Sequence, residues 1–197
     1  MHLYNILLLS GATHALLVPP PPGPYSVAVK PIELIDSNRI DPFAPEANTK
    51  RRFMASAYLP IDAQYGCKTQ VVPYMPPLTA SVYNKQGESL GLPQGIIEKF
   101  EMEFCDLSSI NLDVNHGKRK KKFPVAVFSP GYGGTRLVYG AMARSVASLG
   151  YIVITIDHTY EAAVVEFPDG SAAYAQPGAA SNQSLTQREL DVSPQLA

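Results

Sequence analysis

The chain has 197 residues, 46% of them hydrophobic and 17% charged, with a formal net charge of −1. That length supports one domain with a real core. The near-zero charge excludes the basic imbalance that draws a protein to nucleic acid, and no nucleic-acid partner is expected.

The first residues read MHLYNILLLSGATHALLVPPPPGP. Ile6 to Leu9 form a short apolar core, and Thr13-His14-Ala15 offers small residues for cleavage. Residues 1–15 therefore read as a secretory signal peptide, although no Lys or Arg precedes the apolar core. The run breaks at Ser10-Gly11, too short for the ~20 apolar residues a spanning helix needs. A secreted, extracellular location follows as an expectation. Residues 16–26 read as a stiff proline-rich linker. Residues 27–197 are left for the folded domain.

Residues 27–35 and 52–59 read as strands separated by a loop rich in Asp, Pro and Asn. In the second, Phe53, Ala55, Ala57 and Leu59 alternate with Met54, Ser56 and Tyr58, which suits an antiparallel pair at a sheet edge. Residues 62–95 are dominated by Pro, Gly and polar residues, with few periodic apolar positions. Ile96, Ile97 and Phe100 then share one face of a short helix. Cys67 and Cys105 are the two cysteines, and can close a disulfide in an oxidising compartment or stay as buried thiols.

Gly87-Glu88-Ser89-Leu90-Gly91 fits the serine-hydrolase pattern G-x-S-x-G. That elbow needs a buried strand before it and a helix starting at the serine. Here polar Asn84-Lys85-Gln86 precede it, and Gly91, Pro93 and Gly95 follow. The stretch reads as a surface turn. The basic run from Lys118 to Lys122 reads as a solvated loop, with a lipid-surface contact as the lesser reading. His2, His14, His116 and His158 are scattered, so no metal site is expected.

The most informative segment is residues 123–161. Val125 to Phe128 form a continuous apolar run, as in a strand buried on both faces. A glycine-rich loop follows, Ser129-Pro130-Gly131-Tyr132-Gly133-Gly134. Thr135 is placed to cap a helix that runs to about Leu149, packing Leu137, Ala141, Val146 and Leu149, and Gly150 stops it. Tyr151 to Ile156 form a second buried strand. Strand, helix and strand make a parallel βαβ unit, and the fold class is α/β.

A glycine loop in that place serves either a dinucleotide pyrophosphate or an oxyanion. Asp157 stands where a ribose-binding acid would be, but the G-x-G-x-x-G spacing fails at Arg136. An oxyanion hole needs preorganised backbone donors. The Tyr132 N–H, flanked by Gly131 and Gly133, is the natural candidate.

The stretch FPVAVFSPGYGGTRLVYGAMARSVASLGYIVITIDHTYEAAVVEFPDG resembles the central part of platelet-activating factor acetylhydrolases, in particular their fungal secreted members. The resemblance extends loosely back through Tyr74-Met75-Pro76-Pro77 to the strand near Phe53. It implies a partial α/β-hydrolase fold and hydrolysis of short or oxidised acyl groups from phospholipids. It further implies a Ser-His-Asp mechanism with no metal or cofactor. Where many members open the loop with His-Gly, this chain has Pro130-Gly131. Gln187 to Asp191 look like the start of the helix that leads toward the elbow strand. By resemblance, the catalytic serine, acid and base lie beyond Ala197, and ester hydrolysis is not expected of this chain alone. Asp157, His158, Glu161, Glu166 and Asp169 then read as loop residues around the site mouth. Asn182-Gln183-Ser184 is a glycosylation sequon if the chain is secreted. The alternatives are a non-catalytic lipid- or carboxylate-binding module and a dinucleotide-binding enzyme.

Overall fold

A computed structural model describes residues 15–110, 121–179 and 182–192, the side chains of 182–185 excepted. Residues 1–14 of the expected leader (1–15), His116, Lys118 to Lys120 and the side chain of the sequon Asn182 lie outside the described residues. No described helix is long and apolar enough to cross a membrane.

The frame is a long antiparallel ribbon. β2 (Ser26–Ile40) and β3 (Lys50–Ile61) pair from Ser26↔Ile61 to Ile40↔Lys50, with an irregularity between Asp36 and Ile40. These strands are longer than the sequence suggests, and they lie inside the sheet rather than at its edge. β7 (Ile152–Ile156) runs antiparallel to β3, and β6 (Val125–Phe128) runs parallel to β7. On the other side, β5 (Phe100–Cys105) pairs in parallel with β2 and with β1 (Leu16–Leu17), and β4 (Thr69–Pro73) runs antiparallel along β5. The result is a seven-stranded mixed sheet, with a separate two-stranded sheet of β8 (Val164–Glu166) and β9 (Ala172–Tyr174). The sheet thus carries antiparallel N-terminal strands and a parallel βαβ unit.

Among the described residues β6 is an edge strand, and Val125 is exposed. It is therefore not buried on both faces as its apolar run suggests. The proline-rich segment is docked. Gly23 N–H donates to Ser148 Oγ (3.0 Å), and the Tyr25 ring meets Phe123 edge-on, with the Lys121 ammonium over it.

Helix α2 (Gly140–Ser148) covers one face of the sheet. Its buried residues are Gly140, Ala143, Arg144, Ala147 and Ser148, at the i, i+3, i+4 spacing of one helical face. The small ones let the helix approach closely. A Cβ on Gly140 would lie 3.0 Å from Tyr58 Oη and 3.1 Å from Met102 Cε. The helix starts four residues later than Thr135 predicts, because that hydroxyl is drawn instead to Asp157. Leu149 caps the far end and is exposed rather than packed, and Gly150, at φ +99°, ends the helix. α3 (Asn182–Val192) lies on the opposite face, where Val192 packs on Phe53, Ala55 and Ile156.

A further helix, α1 (Pro77–Ser89), occupies part of the stretch that reads as irregular. Its buried face is Thr79, Ala80, Tyr83, Asn84 and Gly87. Polar and small residues on that face hide the helical period. Pro77 at its start supplies a fixed φ and needs no N–H partner. Glu166 of β8 closes the same end, accepting from Thr79 N–H (2.7 Å) and Thr79 Oγ1 (2.5 Å). The short helix expected around Ile96 is a single 3-10 turn, Ile97–Lys99, and Phe100 belongs to β5. Cys67 and Cys105 form a disulfide that ties the approach to β4 to the end of β5.

Candidate active site

Two loops meet at the carboxyl ends of the parallel strands β6 and β7, where open α/β sheets place their ligands. The first is the glycine loop after β6. The second, residues 157–162, follows β7.

The glycine loop is held at almost every residue. Gly133 N–H donates to Glu161 O (3.1 Å), and Gly133 O accepts from Tyr83 Oη (2.6 Å). Gly134 N–H turns back to Gly131 O (3.0 Å). Pro130 O accepts from Arg188 Nη1 of α3 (2.7 Å). Gly133 sits at φ +78°, which only glycine adopts without strain. Gly131 and Tyr132 are exposed, and among the described residues no acceptor meets their amides. The loop is thus a fixed bracket in which, among the described residues, the Gly131 and Tyr132 amides have no acceptor.

Asp157, His158 and Glu161, expected as polar loop residues, are all buried. Each is folded onto a partner, which is what allows its burial. Asp157 Oδ1 accepts from Thr135 Oγ1 (2.6 Å) and Arg136 N–H (2.5 Å), while its Oδ2 pairs with the Arg136 guanidinium. Both carboxylate oxygens are engaged, and none is left for a ribose hydroxyl. Glu161 pairs with Arg188 Nε (2.7 Å). His158 Nε2 lies 2.7 Å from Ser129 Oγ, and its Nδ1 lies 3.0 Å from Asp191 Oδ2. Of the other expected loop residues, Glu166 caps α1, and Asp169 pairs at 2.9 Å with Arg52 on an exposed turn.

Asp191 anchors a buried charge cluster. Arg51 of β3 donates to it through Nη2 (2.6 Å) and Nε (3.2 Å), and pairs with Asp41 through Nη1 (2.7 Å). Arg39 reaches both Asp191 (2.9 Å) and Asp36 (2.7 Å). Burial works to raise the Asp191 pKa, but hydrogen bonds from His158 and Arg51, with the Arg51 charge, outweigh it and hold the carboxyl below its ordinary range. The folded value lies below the unfolded one. Its stabilisation is therefore complete above the unfolded pKa of ~3.9 and disappears as pH falls through the folded value. Asp191→Asn should give a fold that is weaker at neutral pH but loses less on acidification below ~pH 4. Chemical denaturation of both proteins along a pH series measures this, and parallel slopes would contradict it.

Ser89 of the G-x-S-x-G match lies at the end of α1 rather than in a free turn, and its hydroxyl donates to Gln86 O (2.6 Å). Sequence reasoning did not assign Ser129, Arg51, Arg188 or Asp191. Only Ser129 had a usable signal, as the polar residue closing an apolar strand beside the glycine loop. Among the described residues no group of three His, Cys, Asp or Glu side chains is placed to hold a metal ion. An apolar groove of about 430 Å³ lies nearby, lined by Tyr74, Met75, Tyr83, Leu90, Ile97 and Val138 among others.

Comparison with known proteins identifies the family and the fold that carry this site. The family model described as platelet-activating factor acetylhydrolase, isoform II, matches residues 91–189. A protein of Arthroderma benhamiae, named a probable 1-alkyl-2-acetylglycerophosphocholine esterase, is 33% identical over 167 residues, spanning 83% of this chain and 42% of the relative. A solved ferulic acid esterase from Streptomyces cinnamoneus superposes with a TM-score of 0.66 at 26% identity. That match covers 91% of this chain and 48% of the esterase. The chain spans less than half the length of either protein.

Proposed function

Since the chain belongs to the platelet-activating factor acetylhydrolase, isoform II, family, we propose that it is the amino-terminal part of a secreted carboxylic ester hydrolase that removes short acyl groups from phospholipids. In this reading the segment beyond Ala197 supplies the elbow serine with its acid and base. The described part supplies the oxyanion donors. The observation that carries the reading is the amide of the exposed Tyr132, without an acceptor among the described residues, in a loop fixed by Tyr83, Glu161 and Arg188. Such a donor stabilises charge that exists mainly in the transition state, and its rigidity means no reorganisation at the moment of reaction. The Cys67–Cys105 disulfide supports passage through an oxidising compartment.

The chain extended through its elbow serine is the enzyme to test. Tyr132→Pro removes the one N–H and keeps the carbonyl and the chain length. Steady-state hydrolysis of a 2-acetyl phospholipid should then lose ~10²–10³-fold in kcat, with KM little changed. An unchanged kcat would remove Tyr132 from the oxyanion role. The apolar groove beside α1 favours a second reading, a lipid-binding module. It predicts saturable lysophospholipid binding by the extended chain without any hydrolysis.

A further inference from the structure

Ser129, His158 and Asp191 stand in one line of hydrogen bonds, with separations of 2.7 Å and 3.0 Å. Nothing in the family reading gives them a chemical role. Their geometry meets the requirements of an activated nucleophile, which are a hydroxyl bonded to a base and a base oriented by a third group.

The tautomer follows from the partners. Asp191 is ionised, so it accepts from His158 Nδ1–H. The lone pair on Nε2 then faces the Ser129 hydroxyl. The charge balance points the same way. Around Asp191 the guanidiniums of Arg39 and Arg51 meet the carboxylates of Asp36, Asp41 and Asp191, two cations against three anions. The neighbouring pairs Arg136–Asp157 and Arg188–Glu161 are each neutral by themselves. Positive charge developing on His158 as a proton is transferred would therefore face the carboxylate of Asp191. Burial is distributed as catalysis needs. His158 is 2% exposed and Asp191 0%, while Ser129 faces solvent. The residues directly after Ser129 lead into the two unoccupied amides, those of Gly131 and Tyr132.

We propose that Ser129 is itself a nucleophile, and that Ser129, His158 and Asp191 form an acyl-transfer triad contained wholly within this chain. Its nucleophile and base are distinct from those expected beyond Ala197 and do not depend on them, although both sites would draw on the same Gly131 and Tyr132 amides. Ser129 Oγ attacks the carbonyl carbon of an ester as its hydroxyl proton passes to His158 Nε2. The negative charge on the carbonyl oxygen meets the Gly131 and Tyr132 amides. The carbon–oxygen bond to the alcohol breaks, and His158 returns the proton to the departing oxygen. Water then attacks the acyl-serine with His158 as base, which frees the carboxylic acid and restores the Ser129 hydroxyl. Ser129 lies on an open surface, so the substrate class is small esters with good leaving groups, such as aryl acetates.

The test uses the 197-residue chain with its disulfide formed, checked for a cooperative melt. A fluorophosphonate probe is added, and the labelled residue is located by peptide mass mapping. One label per chain, on Ser129, is expected. Ser129→Ala should abolish it, His158→Gln should slow it at least ~10²-fold, and Ser89→Ala should leave it unchanged. A folded chain that takes no label, or takes it on Ser89 or another residue, overturns the proposal. The map of the unmutated chain decides the matter even if the His158 variant does not fold.

Discussion

Arg51→Met should lower stability by ~3–5 kcal/mol, the largest single-residue effect expected in this chain. Arg51 is fully buried, and its guanidinium is bonded to Asp41, to both oxygens of Asp191 and to Thr159 O (3.1 Å). It joins β3, α3 and the loop after β7 at one point. Burial alone would weaken its charge, yet Asp191 and Asp41 outweigh that and raise its pKa. Methionine keeps much of the volume but takes from Asp41 and Asp191 the buried guanidinium that pairs both, leaving only the partly exposed Arg39 on Asp191. A typical domain has only ~5–15 kcal/mol in total. At ~2–4 °C per kcal/mol for a chain of this size, the melting temperature should fall by roughly 10 °C. Circular dichroism melts measure the loss. Adding Asp41→Asn and Asp191→Asn to the Arg51 variant should recover part of it, because neutral amides need no buried counter-charge. A midpoint unchanged by Arg51→Met would show that the cluster contributes nothing to holding the helix on the sheet.

The second large effect concerns the disulfide. Cys67→Ala with Cys105→Ala should cost about 4 kcal/mol by the chain-entropy model for a separation of 38 residues. The bond closes a loop that contains all of α1 and the 3-10 turn before β5. In the folded protein Thr69 already faces Cys105 across the β4–β5 ladder, so little native structure depends on the sulfur bridge. The stabilisation acts on the unfolded chain. The urea midpoint should therefore drop sharply while the native spectrum stays as it was. Alanine is the right replacement because Cys105 is buried, and a serine hydroxyl there would add a desolvation cost of its own.

The parts of the fold that were legible in the sequence are those where apolar period and glycine placement agree. The βαβ unit shows itself in two apolar runs around Gly131, Gly133 and Gly150. α1 does not, because Thr79, Asn84 and Gly87 fill positions that carry apolar residues in an ordinary amphipathic helix. Phe100 was misplaced for the opposite reason, since an apolar pair before a strand mimics a helical face. The site divides in the same way. Ser129 and His158 each follow a parallel strand, and Phe128 pairs with Thr155, so their proximity is a matter of counting along two neighbouring strands. Asp191 and Arg51 meet only through tertiary packing, and no local pattern in either segment announces the other.

That difference in reach sets an order of events during folding. The Ser129–His158 contact closes over 29 residues and the Thr135–Asp157 contact over 22, whereas Arg51 and Asp191 come together across 140. Local contacts cost less chain entropy and form sooner than distant ones. The serine and its imidazole therefore find each other first, while the ring can still carry its proton on either nitrogen. Only when α3 docks and brings its carboxylate onto Arg51 is one tautomer selected. The direction of the imidazole thus depends on α3, which carries Asp191, and not on the βαβ unit that brings Ser129 and His158 together.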